Sequence, residues 1–371
     1  MHLVSDYLKN GISDDEGIRA CLAAAANEPE RTIVFSGREF LIGRAIELPA
    51  HTTVLLDGCV LRQKDETFDN VFRGDNLVPD PENPFGFPLS VKPTSDIRIL
   101  GRNGAEITGP DKPRRMWHPH FHEEQEMAGD FWGWRGHQIN LSQCDRFEIA
   151  GLRLTKTRSW AMSFDFCSNG FIHDIDFDTH VKNGDGIDFR AGCHHCRVSD
   201  ITGYNSDDTV ACTAGNNRNP HPRYLFPNEA SKKFFRDGDP RRMDIHDITI
   251  ENLRVSGRFH AVICLAAAGL QVYNVVIRNV SETAENPRQC HLVDIYTGYG
   301  DGYHPGDLHD ITVENITANC GVSEPDAEGK ITRYAAASCR ADARNITFRN
   351  VVQRGPGERY FLPFPGGVKI E

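Results

Sequence analysis

The chain has 371 residues, 39% hydrophobic and 25% charged. That balance permits a sizeable core and excludes wholesale disorder. A formal net charge of −11 excludes general affinity for polyanions, so no nucleic-acid partner is expected, although local basic patches are compatible with an acidic sugar.

Met1-His2-Leu3-Val4-Ser5-Asp6 carries no basic stretch followed by an apolar one, and no apolar run is long enough to span a bilayer. No membrane partner is expected. The 11 cysteines are odd in number and lie mostly at the ends of apolar segments, so they read as free thiols in a reducing compartment. The expected location is cytoplasmic, though a chain whose leader had been removed would read the same.

Taken in chain order, the first element is a helix that Ser13 or Asp14 caps, with Ile18, Cys21, Leu22 and Ala25 on one face through about Asn27. A lone amphipathic helix ahead of many strands is expected to cap the open edge of a solenoid. Short β-type runs follow at Thr32 to Phe35, Phe40 to Ile42, Ala45 to Leu48 and Thr53 to Leu56. A repeat then emerges in which Ile and Val alternate with polar residues and an Asn, Asp or Gly often marks the bend. Its copies begin at Asp96, Arg146, Gly170, Cys196, Asp247, Tyr273, Asp310 and Arg344. Each copy can bury its apolar side only against a neighbour, and Asn at the bends can ladder from copy to copy.

The period breaks twice. Residues 111–136 are rich in His and Trp, and residues 215–243 are basic with several Pro. Both are expected to leave the coil as long loops of functional kind. The tail 355–371, with Gly355-Pro356-Gly357 and Pro365-Gly366-Gly367, is expected to cover the last rung. The whole reads as one all-β domain over 1–371, a β-solenoid with an N-terminal capping helix.

Asn183-Gly184-Asp185-Gly186 and Ser206-Asp207-Asp208 are the chemical signal. Asp185 and Asp207 stand 22 residues apart (207 − 185), about one solenoid turn. Stacked turns would make them rung neighbours, with Asp208 beside them. Three crowded carboxylates cannot all ionise near neutral pH, so such a cluster supplies both the acid and the base that glycoside hydrolysis requires.

These motifs resemble the polygalacturonase-like enzymes of glycoside hydrolase family 28, built on a single-stranded right-handed parallel β-helix of the pectin lyase type. The family's Asn-Thr-Asp-Gly and Gly-Asp-Asp motifs look like residues 183–186 and 206–208, and its Gly-His-Gly motif falls at Phe259-His260-Ala261. Arg135-Gly136-His137-Gln138-Ile139 and Ser159-Trp160 are similar to the family's approach to the first motif. The resemblance implies that Asp207 is the general acid, that Asp185 and Asp208 hold and deprotonate water with inversion, and that His260 assists. The family's Arg-Ile-Lys motif, which grips a galacturonate carboxylate, aligns with Asp294-Ile295-Tyr296. Either the basic insertion (Arg218, Arg223, Lys232, Lys233, Arg236) grips the anion instead, or the sugar is neutral.

Other residues carry two readings. A lone Asp in a bend often caps backbone N–H groups. Asn183 either bonds a sugar hydroxyl or joins an Asn ladder, and His260 either orients the acid or is structural. Trp117, Trp132 and Trp134 are either stacking platforms for sugar rings or loop packing. His118, His120 and His122, followed by Glu123 and Glu124, would face one side of an extended strand and suit zinc or nickel, but no fourth partner is evident. Cys193-His194-His195-Cys196 reads better as stacked small hydrophobes than as a metal site.

The expected function is therefore an inverting glycoside hydrolase acting on a galacturonate- or galactose-configured oligosaccharide, without cofactor or metal, a homo-oligomer being left open. The alternatives are a uronate lyase or epimerase on the same fold, and a non-catalytic carbohydrate-binding β-helix.

Overall fold

The computed structural model of the chain describes residues 1–9, 11–215, 223–235, 240–267, 269–298 and 302–371. The chain divides into two compact units, Met1–Gly184 with His221–Phe234, and Asp185–Pro220 with Phe235–Glu371. Each is built mainly of parallel strands. Among the described residues no helix is long and apolar enough to cross a membrane.

In the first unit the helix Asp14–Ala24 begins with a reciprocal cap, in which the Ser13 side chain accepts from the Glu16 N–H and the Glu16 side chain accepts from the Ser13 N–H. This satisfies two of the donors that a helix start leaves open. Ile18 and Cys21 are buried, and the helix packs on His2–Leu3 and Glu39–Ile42. Strands Arg31–Ser36, Thr52–Asp57, Thr94–Arg102, Cys144–Thr155 and Ser168–Thr179 follow one another in a parallel sheet. Register sets Ile99 beside Val54 and Ile149, and Ile149 beside Ile172, all fully buried.

In the second unit one parallel sheet runs His194–Asn205, Ile245–Gly257, Val272–Glu282, Leu308–Ala318 and Arg344–Gln353. Within these strands Ile250, Ile277, Val313 and Phe348 stack in register with no exposure. All eight predicted repeats thus lie inside long strands. At the bends Asp200, Asn252, Asn279, Asn315 and Asn350 hold φ between +49° and +59°, a region Asn and Asp tolerate better than other side-chain-bearing residues. The Asn amides donate rung to rung, from Asn315 to Asn279 at 3.1 Å and from Asn350 to Asn315 at 2.9 Å, and Asp200 accepts from Asn252.

A second parallel sheet in this unit runs Ile187–Phe189, Val210–Ala214, Val262–Ala266, Val293–Tyr296 and Ala335–Cys339. Phe189, Cys212, Cys264, Ile295 and Cys339 form one buried column of it. Burial pushes the Cys339 thiol up to about 11. The cysteines are free and stacked as small hydrophobes.

The tail lies on the last rung as strands, since Glu358–Phe361 pairs with Ala335–Cys339 and Val368–Ile370 pairs with Arg344–Gln353, adding strands to both sheets. The excursion 111–136 carries secondary structure of its own. Arg115–His118 and Glu123–Glu126 form an antiparallel hairpin, and Phe131 packs on Tyr224 of the second insertion at 5.5 Å. Gly133, at φ +82°, lies where a Cβ would come within 2.7 Å of Phe226, so only glycine allows the two insertions to meet this closely.

Candidate active site

The site belongs to the second unit and is set by strand register. Ile187, Val210, Val262 and Val293 pair in sequence across the second sheet. The residues two positions earlier, Asp185, Asp208, His260 and His291, therefore fall at one corner on successive rungs. Backbone bonds fix the corner, with Gly186 N–H donating to Asp208 O at 2.8 Å, Thr209 N–H to His260 O at 3.0 Å and Ala261 N–H to Leu292 O at 2.8 Å. The rung partner of Asp185 is thus Asp208, not Asp207 as its 22-residue spacing suggests. Asp207 precedes it by one residue on the same turn.

One carboxylate oxygen from each of Asp185, Asp207 and Asp208 lies within 4.8 Å of the others. Asp185 is buried and the other two are half-buried. Asp208 Oδ1 accepts the His260 N–H at 3.0 Å. Desolvation of the enclosed Asp208 carboxyl raises it above the usual carboxylate range, against the pull of His260.

His260 is nearly buried, with Nδ1 donating to His291 O at 2.8 Å and Nε2 facing Asp294 Oδ2 at 3.7 Å. Burial alone would lower its pKa. The charge of Asp208, with contributions from Cys290 and Asp294, outweighs that and lifts the imidazole to about 10. His260 is accordingly an imidazolium at neutral pH. Cys290 Sγ stands 3.5 Å from its Nδ1. His291 goes the other way, pushed down by burial to about 4, with Nδ1 accepting the Ala335 N–H at 2.9 Å.

Asp294 is fully buried and cannot touch a sugar. It ion-pairs with Arg340, whose Nε lies 3.1 and 3.2 Å from its two oxygens. The Arg340 guanidinium in turn sits 3.8 Å above the Tyr296 ring, a cation–π contact. Where the family pattern expects cations to hold an anion, this chain spends its cation on its own aspartate.

With this geometry in place, residues 92–220 match the family model described as glycosyl hydrolases family 28. Over that segment, about a third of its length, the chain is similar to the glycoside hydrolases of this family. The matched segment contains all three clustered aspartates and ends before His260. No curated protein matches the chain. Solved structures that resemble it include the polygalacturonase from Erwinia carotovora, 14% identical, with 98% of this chain and 95% of that chain covered and a TM-score of 0.61. A family 28 exopolygalacturonase from Yersinia enterocolitica is 13% identical, with 99% and 76% covered and a TM-score of 0.53. The tailspike protein of E. coli bacteriophage HK620, solved with a pentasaccharide, is 13% identical over all of this chain and 64% of its own length, with a TM-score of 0.59. At such identities the likeness is one of fold, the right-handed parallel β-helix.

The remaining predicted site residues belong to the first unit or lie outside the described residues. Asn183 is half-buried at φ +52°. Trp132 packs inside a cluster with Phe68, Met127 and Phe131, and Trp134 is fully buried with Nε1 donating to Gly86 O at 3.0 Å. Neither presents a face to a sugar, because both indoles are buried against segments that include Phe68, Leu77 and Gly86. Trp117 is exposed. Arg223 is exposed, with its carbonyl within 3.1 Å of His118 Nε2, while Arg218 and Arg236 lie outside the described residues. The histidine triplet also needs correction, since His120 and His122 occupy the hairpin turn rather than an extended strand. His118 is buried with Nδ1 accepting from the His120 N–H at 3.3 Å.

Sequence reasoning missed Arg340 and Cys290. Arg340 follows strand Ala335–Cys339 two residues beyond Ser338, which pairs with Asp294. Alternation would have put it beside Tyr296, had the strand been recognised.

Proposed function

We propose that this enzyme hydrolyses a glycosidic bond in a galacturonate- or galactose-configured oligosaccharide with inversion. Asp207 protonates the leaving oxygen, while Asp185 and Asp208 hold a water and remove its proton. The observation that carries the reading is the convergence of three carboxylates within 4.8 Å at one corner of successive rungs. Crowding lets the cluster keep a proton at neutral pH, and that proton belongs to the group as a whole. His260, charged and bonded through its N–H to Asp208, sets the field in which the cluster titrates.

Inversion rests on the motif resemblance, not on spacing. Acid and base in most inverting enzymes stand roughly 6.5–9.5 Å apart to leave room for water, and those of retaining enzymes roughly 5–5.5 Å. The short separations here favour retention as the second reading, with one aspartate as nucleophile. In a three-carboxylate cluster, however, water can be held beside the Asp185–Asp208 pair instead of between acid and base.

The Asp294–Arg340 pair argues that this position does not grip a uronate carboxylate, so a neutral galactose-configured unit is preferred there. Oligosaccharides of both kinds, followed by NMR for the anomer first released, test the proposal. A β-anomer from an α-link supports inversion, retained configuration supports a nucleophilic Asp, and an unsaturated product would indicate a lyase and overturn hydrolysis.

A further inference from the structure

The second unit carries a histidine cluster on its other sheet that the reaction does not use. Strands His194–Asn205 and Ile245–Gly257 pair with His194 beside His246, which brings the bend residues His195 and Asp247 together. Both bends are left-handed, at φ +54° and +57°. His246 Nδ1 lies 2.6 Å and His195 Nε2 3.6 Å from the same oxygen, Asp247 Oδ2. Ligand atoms held about 2.0–2.2 Å from one ion stand roughly 3–3.5 Å apart, and these two separations bracket that value.

The surroundings orient the three groups. His195 Nδ1 meets His194 Nδ1 at 2.8 Å, and with His195 Nδ1 as the donor of that bond its Nε2 lone pair is left on the side of Asp247. The Asn274 amide donates to Asp247 Oδ1 at 3.2 Å and leaves Oδ2 for the site. The His194 and His246 rings stack at 5.0 Å with planes 3° apart, and Tyr273 continues the stack at 4.9 Å. The same His–Asp contact recurs at His309 and Asp310, also 2.6 Å, as an ordinary bend feature. There the preceding rung offers Asn274 to the carboxylate column. Only at Asp247, among the described residues, does the preceding rung offer a second imidazole.

We propose that His195 Nε2, His246 Nδ1 and Asp247 Oδ2 bind one divalent transition-metal ion of the zinc or nickel class, clamping one rung of the helix to the next. Two imidazoles and a carboxylate suit these ions, and solvent completes the coordination shell. The half-exposed position of His195 gives the ion access.

Calorimetric titration of the full chelator-treated chain with Zn²⁺ and with Ni²⁺ tests this, alongside His195→Gln, His309→Gln and Asp207→Asn. The expected result is one saturable equivalent and a melting temperature that rises with free metal. His195→Gln should weaken binding at least about 10-fold, the lower bound for losing even an outer-shell group. His309→Gln and Asp207→Asn should leave it unchanged. No saturable equivalent, or binding that survives His195→Gln in a variant with unaltered circular dichroism, would overturn the site, as would binding that disappears with Asp207→Asn.

Discussion

At the scale of single residues the account turns on how few groups at the corner are independent. Asp208, His260, Asp294 and Arg340 form a connected set of charges, so changing one shifts the others. The His260 pKa is raised to about 10 in the folded chain from an ordinary 6.5. A raised pKa means that the folded state binds the extra proton more tightly. Its contribution to stability is complete below about pH 6.5 and is lost as pH climbs towards 10. Denaturation midpoints measured across that window should fall with pH, and His260→Gln should flatten the fall. Arg340→Ala would remove the closer of the two cations beside the buried Asp294, leaving His260 at 3.7 Å, and should cost no more than about 3–5 kcal/mol, whereas Asp294→Leu with Arg340→Met should cost much less. Chemical denaturation of both variants checks the difference. The Asp triplet was legible from spacing, but its register was not. Bends absorb a residue without changing the motif, so Asp208 rather than Asp207 pairs with Asp185.

At the scale of elements the strands are set by alternation and the bends by Asn. Asn315 donates to one ladder neighbour and accepts from the next while holding φ +56°. Asn315→Ala should lose both bonds and strain the bend, costing about 1–2 kcal/mol per residue forced into that region. Asn315→Gly, which keeps the backbone relaxed, should cost less, and urea midpoints rank the two. The repeats were readable because each copy carries its full pattern of inward Ile and Val within a few residues. The insertions were not readable, because Trp132 and Trp134 are buried by contacts with segments far away in sequence, such as Phe68 and Gly86. An indole in a polar loop offers no local sign of which way it faces. Arg340 escaped notice for a similar reason, its partner Asp294 lying 46 residues earlier, with the strand Leu308–Ala318 between them.

At the scale of the whole molecule, 11 free cysteines describe the chemistry of the interior. All are buried except Cys290, which is partly exposed beside His260. A thiol reagent should therefore modify at most one cysteine quickly in the native chain and all of them after denaturation, and rapid native reaction of several would contradict the packing described. The parallel β-helix could be read from the sequence because its period is visible along most of the chain. The pairing of Asp294 with Arg340 could not, since neither residue carries a local sign of the other. The measurement that tests the central claim most directly is turnover of galactose- and galacturonate-configured oligosaccharides by wild type and Asp207→Asn, with the released anomer followed by NMR. The account predicts saturated, inverted product from the wild type and a loss of about 10²–10⁴-fold in the variant, the usual worth of a positioned proton donor. Undiminished turnover by Asp207→Asn would contradict it.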